Sequence, residues 1–290
     1  MTRRLMAVHA HPDDESSKGA ATYAHYAAGG AEVMIVSCTG GQRGSILNSA
    51  VEAVPLAHRD LAGLRRLEMA EAARILGVGQ RWLGYYDSGM PADGEPLPPN
   101  SFATIPLESS AAPLVTLMRE FRPHVLIAYD ENGGYPHPDH IRAHEVAVYA
   151  RDAAADPGRY PDAGRAWRIP KLYYDRIHSA KRTRAVYDAL AATEPEHPLL
   201  AEFERFRSRG EGTSFLGTTQ VAVDAYFDTR DAALRAHASQ VPPDSPFFFW
   251  PNDVQRKAWP WEDYQLVDSE VETSVPETDL FAGIPVAALA

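Results

Sequence analysis

Leu5-Met6-Ala7-Val8-His9-Ala10-His11-Pro12-Asp13-Asp14-Glu15 is an apolar, β-compatible run that breaks off into a polar turn. A helical pattern from about Lys18 to Ala28 follows the turn and stops at Gly29-Gly30. Strand, polar turn and helix in that order is the opening of a βα unit, and the rest of the chain repeats it. Glu32 to Cys38 is rich in β-branched and apolar residues and runs into a glycine loop, Thr39-Gly40-Gly41-Gln42-Arg43-Gly44. Leu61 to Leu76 carries apolar residues at helical spacing and closes on Gly77. A short strand at Arg81 to Leu83, a helix from Leu114 to Phe121, an apolar strand from Val125 to Tyr129 and a helix from His140 to about Ala154 continue the alternation.

That rhythm predicts a Rossmann-like three-layer α/β sandwich around a mostly parallel sheet. The connection from Asp87 to Pro113, with its prolines and glycines, reads as a long surface loop, a kind that is often functional. Beyond about His178 the alternation weakens. A strand at Gln220 to Val223, a helix at Thr229 to Ala238 and a Pro/Trp-rich stretch from Pro242 to Trp261 remain. The expected organisation is a catalytic domain over residues 1–178. Residues 179–290 form a smaller elaboration that packs on it and helps to close the substrate pocket.

Composition narrows the function classes. The 290 residues are 45% apolar, enough for a substantial core. With 28 basic and 39 acidic side chains the formal charge is −11. Such a chain lacks the basic surface that nucleic acid or an anionic membrane would need. No apolar run approaches the ~20 residues that span a bilayer, and the segment before His11 is too short for a signal-peptide core. The single cysteine, Cys38, excludes an intrachain disulfide and fits a reducing cytoplasm.

Ligands of open α/β sheets bind outside the carboxyl ends of the strands. Two polar clusters fall at such ends. His11-Pro12-Asp13-Asp14-Glu15 follows the first strand, and Tyr135-Pro136-His137-Pro138-Asp139-His140 follows Val125 to Tyr129 after Gly133-Gly134. Parallel strands bring these clusters to one edge. Two imidazoles and a carboxylate satisfy a catalytic zinc that keeps one position open for water. A neighbouring carboxylate can then take a proton from water whose pKa falls toward ~7. Asp13 and Asp14 can divide ligation and base catalysis, and spacing alone leaves their roles exchangeable. His137 and Tyr135 can donate to an oxyanion, and Asp139 can orient an imidazole. Taken singly, Asp-Asp-Glu is a helix start and His-Pro-Asp-His a turn with solvated histidines; the coincidence of both at one sheet edge favours a site.

Ala10-His11-Pro12-Asp13-Asp14-Glu15 together with His137-Pro138-Asp139-His140 resembles the zinc-dependent N-acetylglucosaminyl-phosphatidylinositol de-N-acetylase (LmbE-like) superfamily. Similar segments include Asp130-Glu131-Asn132-Gly133-Gly134-Tyr135-Pro136-His137, Lys171-Leu172-Tyr173-Tyr174 and Leu280-Phe281-Ala282-Gly283-Ile284. Within the superfamily the chain looks like the branch that acts on S-conjugates of mycothiol, a cysteinyl-glucosaminyl-inositol thiol, with the deacetylase of that pathway as its sister. The resemblance implies zinc on His11, Asp14 and His140, with Asp13 as general base. It implies that Tyr135 and His137 stabilise the tetrahedral intermediate while Asp139 tunes the site. It implies sugar-inositol contacts at Arg65 and Asp87, with Met90 near them, and a conjugate contact at Lys18, a position where the deacetylase branch does not carry lysine. The implied reaction cuts the cysteinyl–glucosamine amide to give a mercapturic acid and glucosaminyl-inositol, in detoxification or antibiotic assembly. Acetyl release from N-acetylglucosaminyl-inositol is the alternative. Fe2+ or another divalent transition ion suits the same ligand set. The expected partner is the small-molecule thiol conjugate alone, and a homo-oligomer is compatible with the sequence.

Other residues weigh less. His144, one helical turn after His140, reads as a packed or supporting histidine, and Glu15 as a cap or supporting carboxylate. Trp250, Trp259 and Trp261 read as packing residues, with sugar stacking as the other use, and His237 as an outside candidate for the pocket. Two other functions compete with the metal hydrolase: a cysteine hydrolase on Cys38, which has no base beside it, and a sugar or nucleotide binder. The second would carry Gly-x-Gly-x-x-Gly after the first strand, where His11-Pro12-Asp13-Asp14 stands instead.

Overall fold

Seven strands form one sheet in the computed structural model, which describes residues 2–92, 94–210 and 216–285. They are β1 (Arg4–His9), β2 (Glu32–Thr39), β3 (Gly79–Tyr85), β4 (Val125–Ala128), β5 (Lys171–Asp175), β6 (Thr219–Ala222) and β7 (Trp261–Ser269). Their order across the sheet is β3-β2-β1-β4-β5-β7-β6. The first five run parallel, while β7 is antiparallel to β5 and β6 to β7. The sequence reading of a mostly parallel α/β sandwich is what is found.

Between Arg4 and His9, β1 is apolar because both faces of the sheet are covered, as parallel strands require. Its side chains alternate between two cores. Met6 and Val8 pack with Leu114, Met118 and Ala147 on one face. Leu5 and Ala7 pack with Tyr23, Met69 and Phe227 on the other. The chain leaves β1 toward β2 and β3 on one side and later enters β4 on the other, so β1 and β4 flank the topological switch point where such sheets bind ligands.

Two expected helix starts move, and one strand appears that the sequence pattern does not show. The helix expected from Lys18 is split into Asp14–Ser17 and Ala20–Ala28. The break is at Gly19, with φ of 121°, where a Cβ would lie 2.6 Å from the Tyr23 ring. The helix expected from Leu114 begins at Leu107, so the long loop ends well before Pro113, which sits inside the helix. Pro113 brings no N–H to the Ser109 carbonyl four residues back, and Tyr85 Oη donates to that oxygen instead at 3.2 Å. The last correction is β7, which emerges from the end of the Pro/Trp-rich stretch. Its acidic Glu262 and Asp263 hide the strand pattern, yet both are buried. Glu262 accepts the Thr22 N–H at 2.8 Å, and Asp263 accepts from Gln220 and Trp259, each at 2.8 Å.

Residues beyond 178 therefore add two strands to the sheet, together with the helices Ala180–Thr193 and Leu199–Gly210, whose apolar side chains pack against Val254 and Trp259. The chain end is tied back by Glu277. Its carboxylate accepts from Lys171 Nζ at 2.6 Å, Tyr173 Oη at 2.7 Å and Thr219 Oγ1 at 3.0 Å. Lys171 and Glu277 are both buried. Among the described residues, no helix is long and apolar enough to cross a membrane. Because removing one member of a buried pair strands the other charge, Glu277→Ala is expected to cost about 3–5 kcal/mol in urea unfolding. Adding Lys171→Met is expected to recover part of that loss; a single variant as stable as the parent would show that the ammonium finds water instead.

Candidate metal centre

The first half of the site is a backbone turn under strain. Asp13 adopts φ of 107°, a region that a residue with a Cβ rarely enters. A buried relay holds it there. The Asp13 N–H donates to Glu15 Oε2 at 2.9 Å, and Glu15 Oε1 pairs at 2.7 Å with Nε2 of His237, which arrives from the end of the helix Phe227–Ala236. The single helical turn that follows points Asp14 back across the end of β1.

The second half comes from the loop after β4. The Asp130 carboxylate accepts the N–H groups of Asn132 at 3.0 Å and Gly134 at 2.9 Å and pairs with Arg176. Gly133, with φ of 67°, lets the loop pass close under the helix Pro138–Ala155. His137 caps that helix, its Nδ1 accepting the Asp139 N–H at 3.1 Å, and His140 lies in the first turn.

The two halves meet on Asp14. Its Oδ2 is 3.4 Å from His11 Nδ1 and 3.4 Å from His140 Nε2. Each imidazole is oriented from behind, His140 by Nδ1 on the Gly133 carbonyl at 2.9 Å, His11 by Nε2 on Asp139 Oδ2 at 3.2 Å. Those bonds place the lone pairs of His140 Nε2 and His11 Nδ1 on the Asp14 side. His140 Nε2 is buried with no hydrogen-bond partner, a costly state for a polar atom unless something else binds it. Donor atoms about 3.3 Å apart are what a tetrahedral ion with bonds of about 2.0–2.1 Å requires. The residues therefore fit a divalent transition metal. A second grouping, His11, His137 and Asp139, is also compact; its Asp139 Oδ2 accepts the Ser88 N–H at 2.9 Å and serves His11, while its Oδ1 is buried without a partner, as His140 Nε2 is.

Charge points the same way. Burial opposes a charge on His11, yet Asp139, Asp14 and Asp87 overcome it and raise its pKa well above the ordinary value. Burial likewise opposes the charged form of Asp14, and His140 and Lys18 overcome that, holding the carboxyl well below its ordinary range. The pocket is short of positive charge, which a cation supplies. Beside it, burial raises the Asp13 carboxyl despite the pull of Arg65, whose Nη2 is 3.4 Å away. Burial and the neighbouring His11 and His140 push His137 down to about 4.

The other sequence-predicted residues surround this cluster. Tyr135 is half exposed, its ring centroid 4.6 Å from that of His140, and the His137 ring lies 4.7 Å from that of His11. Lys18 is buried with Nζ 2.6 Å from Asp14 Oδ1. Arg65, also buried, donates to the carbonyls of Pro12 and Gly41 and so joins the metal loop to the glycine loop. Asp87 accepts the N–H groups of Arg43 at 3.0 Å and Gly89 at 2.7 Å and stands 3.6 Å from His11 Nε2. Met90 is exposed. His144 turns away, with Nδ1 2.9 Å from the Tyr129 carbonyl oxygen. Cys38 is buried in the core and burial raises its thiol well above the ordinary value, so it offers no nucleophile.

Two cavities open on either side. Asp13, Asp14 and Tyr135 line both, so the cluster stands at the throat between them. The smaller, about 250 Å³, is polar, with Arg43, Arg65, Asp87 and Gln240 in its wall and Met90 beside them. The larger, about 600 Å³, is lined by Lys18, Asp175, Arg176, His178, Phe247 and Phe248. Sequence reasoning missed the last five and Gln240. Reading Lys171 to Asp175 as a strand would have placed Asp175 and Arg176 at the same sheet edge. The aromatic run Phe247-Phe248-Phe249-Trp250 was visible, but nothing in it says that it folds back to the metal edge.

Residues 6–151 match the family described as PIG-L, GlcNAc-PI de-N-acetylase. A mycothiol S-conjugate amidase of Streptomyces coelicolor is 48% identical over 97% of this chain and 97% of its own length. A 1D-myo-inositol 2-acetamido-2-deoxy-alpha-D-glucopyranoside deacetylase of Geodermatophilus obscurus is 41% identical over 98% of this chain and 99% of its own. The solved N,N'-diacetylchitobiose deacetylase from Pyrococcus horikoshii superposes with a TM-score of 0.60 at 18% identity, covering 92% of this chain and 84% of that one. It shares the fold.

A Cβ at position 133 would lie 2.5 Å from the Cβ of His140. Gly133→Ala is therefore expected to displace His140 and weaken metal binding by about 10–100-fold, the usual cost of disturbing what orients a ligand. Titration of zinc against a competing chelator reads this directly, and unchanged affinity would remove His140 from the ligand set.

Proposed function

The chain belongs to the PIG-L family of GlcNAc-PI de-N-acetylases, amide-cleaving hydrolases, and from that footing we propose that it hydrolyses the cysteinyl–glucosamine amide of mycothiol S-conjugates. The products are a mercapturic acid and glucosaminyl-inositol. One observation carries this reading over simple deacetylation. The metal-binding cluster stands between a small polar lobe and a lobe of about 600 Å³. A polyol such as glucosaminyl-inositol suits the first, with its guanidinium, carboxylate and amide groups. An acetyl group would leave the second almost empty, whereas a cysteine bearing an S-substituent occupies it. The 48% identity to the S. coelicolor amidase supports the same choice.

His11 Nδ1, Asp14 Oδ2 and His140 Nε2 would hold zinc, or another divalent ion suited to two imidazoles and a carboxylate. Such an ion supplies Lewis acidity: it brings the pKa of water toward ~7 and polarises a carbonyl. Asp13, its carboxyl raised by burial, takes the proton of the attacking water and returns it to the departing sugar amine. His137, uncharged near neutrality and with Nδ1 occupied by the Asp139 N–H, keeps its proton on Nε2 and donates it as a hydrogen bond to the carbonyl oxygen as charge develops. Tyr135 Oη donates from the other side of the throat. Asp139 holds His11 in the tautomer that leaves Nδ1 free. Lys18 keeps Asp14 ionised and borders the acyl lobe, while Arg65, Asp87 and Met90 face the sugar-inositol side.

The second reading, de-N-acetylation of N-acetylglucosaminyl-inositol, is favoured by relatives such as the G. obscurus deacetylase at 41% identity. Zinc-loaded enzyme assayed on both substrate types side by side is expected to show higher kcat/KM for the S-conjugates, and a clear preference for acetyl release would reverse the proposal. Asp13→Ala is expected to lower kcat by about 10²–10⁴-fold with metal content unchanged; intact turnover would remove Asp13 as the base.

A further inference from the structure

We infer that Asp175 and Arg176 form a subsite for the acylamino group of the conjugate, Asp175 accepting its N–H and Arg176 donating to its carbonyl oxygen. The inference rests on the amidase reading and adds which part of the acyl half is recognised by hydrogen bonds. A mercapturic acid carries an acetamido group on the carbon next to the scissile carbonyl. With that carbonyl at the throat and the sugar in the smaller cavity, this carbon stands at the entrance of the larger one, and its acetamido group enters with it. A secondary amide taken out of water needs both an acceptor and a donor.

Among the described residues, the carboxylates in the wall of the larger cavity are those of Asp13, Asp14, Asp130 and Asp175. The first three are committed. Asp13 lies 3.4 Å from Arg65 Nη2 and faces the attacking water. Asp14 takes Lys18 Nζ on one oxygen at 2.6 Å and the His11 N–H on the other at 2.9 Å. Asp130 takes the N–H groups of Asn132 and Gly134 and pairs with Arg176. Asp175, by contrast, has no hydrogen bond or ion pair to its carboxylate among the described residues. It is the last residue of β5, paired through the sheet with Tyr264, so the backbone rather than a side-chain partner sets its place. Burial pushes its carboxyl up to about 7 in spite of Lys18 and Arg176, as befits an acceptor that the fold leaves short of donors.

Arg176 supplies the complement. Its Nε and Nη2 donate to Gln265 Oε1 at 3.0 and 2.6 Å, and its Nη1 pairs with Asp130. A guanidinium has five N–H groups, so these bonds hold the fork in place while donors remain for a carbonyl oxygen. Acceptor and donor thus stand on consecutive residues in one wall, as N–H and C=O stand on either side of an amide. A free ammonium there would meet Lys18 and Arg176 as well as Asp175, so the neutral amide is the better match.

The test uses three synthetic S-methyl conjugates with zinc-loaded full-length enzyme, each read by release of glucosaminyl-inositol. One carries the acetamido group, one carries acetoxy in its place, which keeps the carbonyl and loses only the N–H, and one carries the free amine. The parent is expected to favour acetamido over acetoxy by about 10–100-fold in kcat/KM, the usual contribution of a hydrogen bond to a charged group, and to turn over the free amine more slowly than the acetamide. Asp175→Ala is expected to bring the acetamido-to-acetoxy ratio close to one with zinc content unchanged. Asp175→Asn, whose side-chain oxygen still accepts, is expected to keep most of it. A ratio near one in the parent, a ratio that survives Asp175→Ala, or faster turnover of the free amine overturns the inference while leaving amide hydrolysis in place. Turnover of N-acetylglucosaminyl-inositol with none of the three conjugates instead overturns the reading on which it rests. The parent comparison stands even where a variant fails to fold.

Discussion

Two imidazole nitrogens held 3.4 Å from one carboxylate oxygen, in surroundings nearly closed to water, set the terms for everything around them. Such a group is not stable by itself, because buried donors and charges must be paired or bound. The protein spends many of its polar contacts fixing the three donors rather than relaxing them. Asp139 and the Gly133 carbonyl turn the rings, the His11 N–H and Lys18 hold the two carboxylate oxygens, and Arg65 ties the loop beneath. A cation at that point would convert these frustrated contacts into a stable centre. The sheet contributes the one thing loops cannot, a rigid edge at which β1 and β4 end side by side.

How much of this was legible in the sequence follows from which interactions are local. β1, β2 and β4 announced themselves because burial on both faces leaves their centres a run of apolar residues. His11, Asp13 and Asp14 could be named because they directly follow the end of β1, and His140 because its cluster follows β4 after a glycine loop. Boundaries failed where a distant partner repairs a local fault, as Tyr85 does for the carbonyl that Pro113 leaves bare. β7 was hidden because its Glu262 and Asp263 look solvent-facing until Thr22, Gln220 and Trp259 are brought to them. The larger cavity was invisible for the same reason: Phe247 and Phe248 reach it through contacts made far away in sequence, such as that of Phe247 with His178.

The two cavities also differ in the recognition they offer. In the smaller, guanidinium, carboxylate and amide groups offer directional bonds. In the larger, Phe247 and Phe248 offer apolar surface beside Arg176, which Asp130 and Gln265 hold in place. A molecule reaching from one to the other past Asp13, Asp14 and Tyr135 would meet both kinds.

The Glu15–His237 contact carries a consequence for how this fold can change over time. The backbone of Asp13 is held in its unfavourable conformation through a carboxylate whose partner arrives more than two hundred positions later in the chain. The region shared most broadly with the family, residues 6–151, does not contain that partner. The N-terminal half is therefore not an interchangeable cassette: recombination that swapped it onto a foreign C-terminal segment would inherit the ligands but lose the brace. Divergence of the later segment is thus tethered to that turn at one histidine, as it is to the sheet and its helices at Glu262 and Glu277.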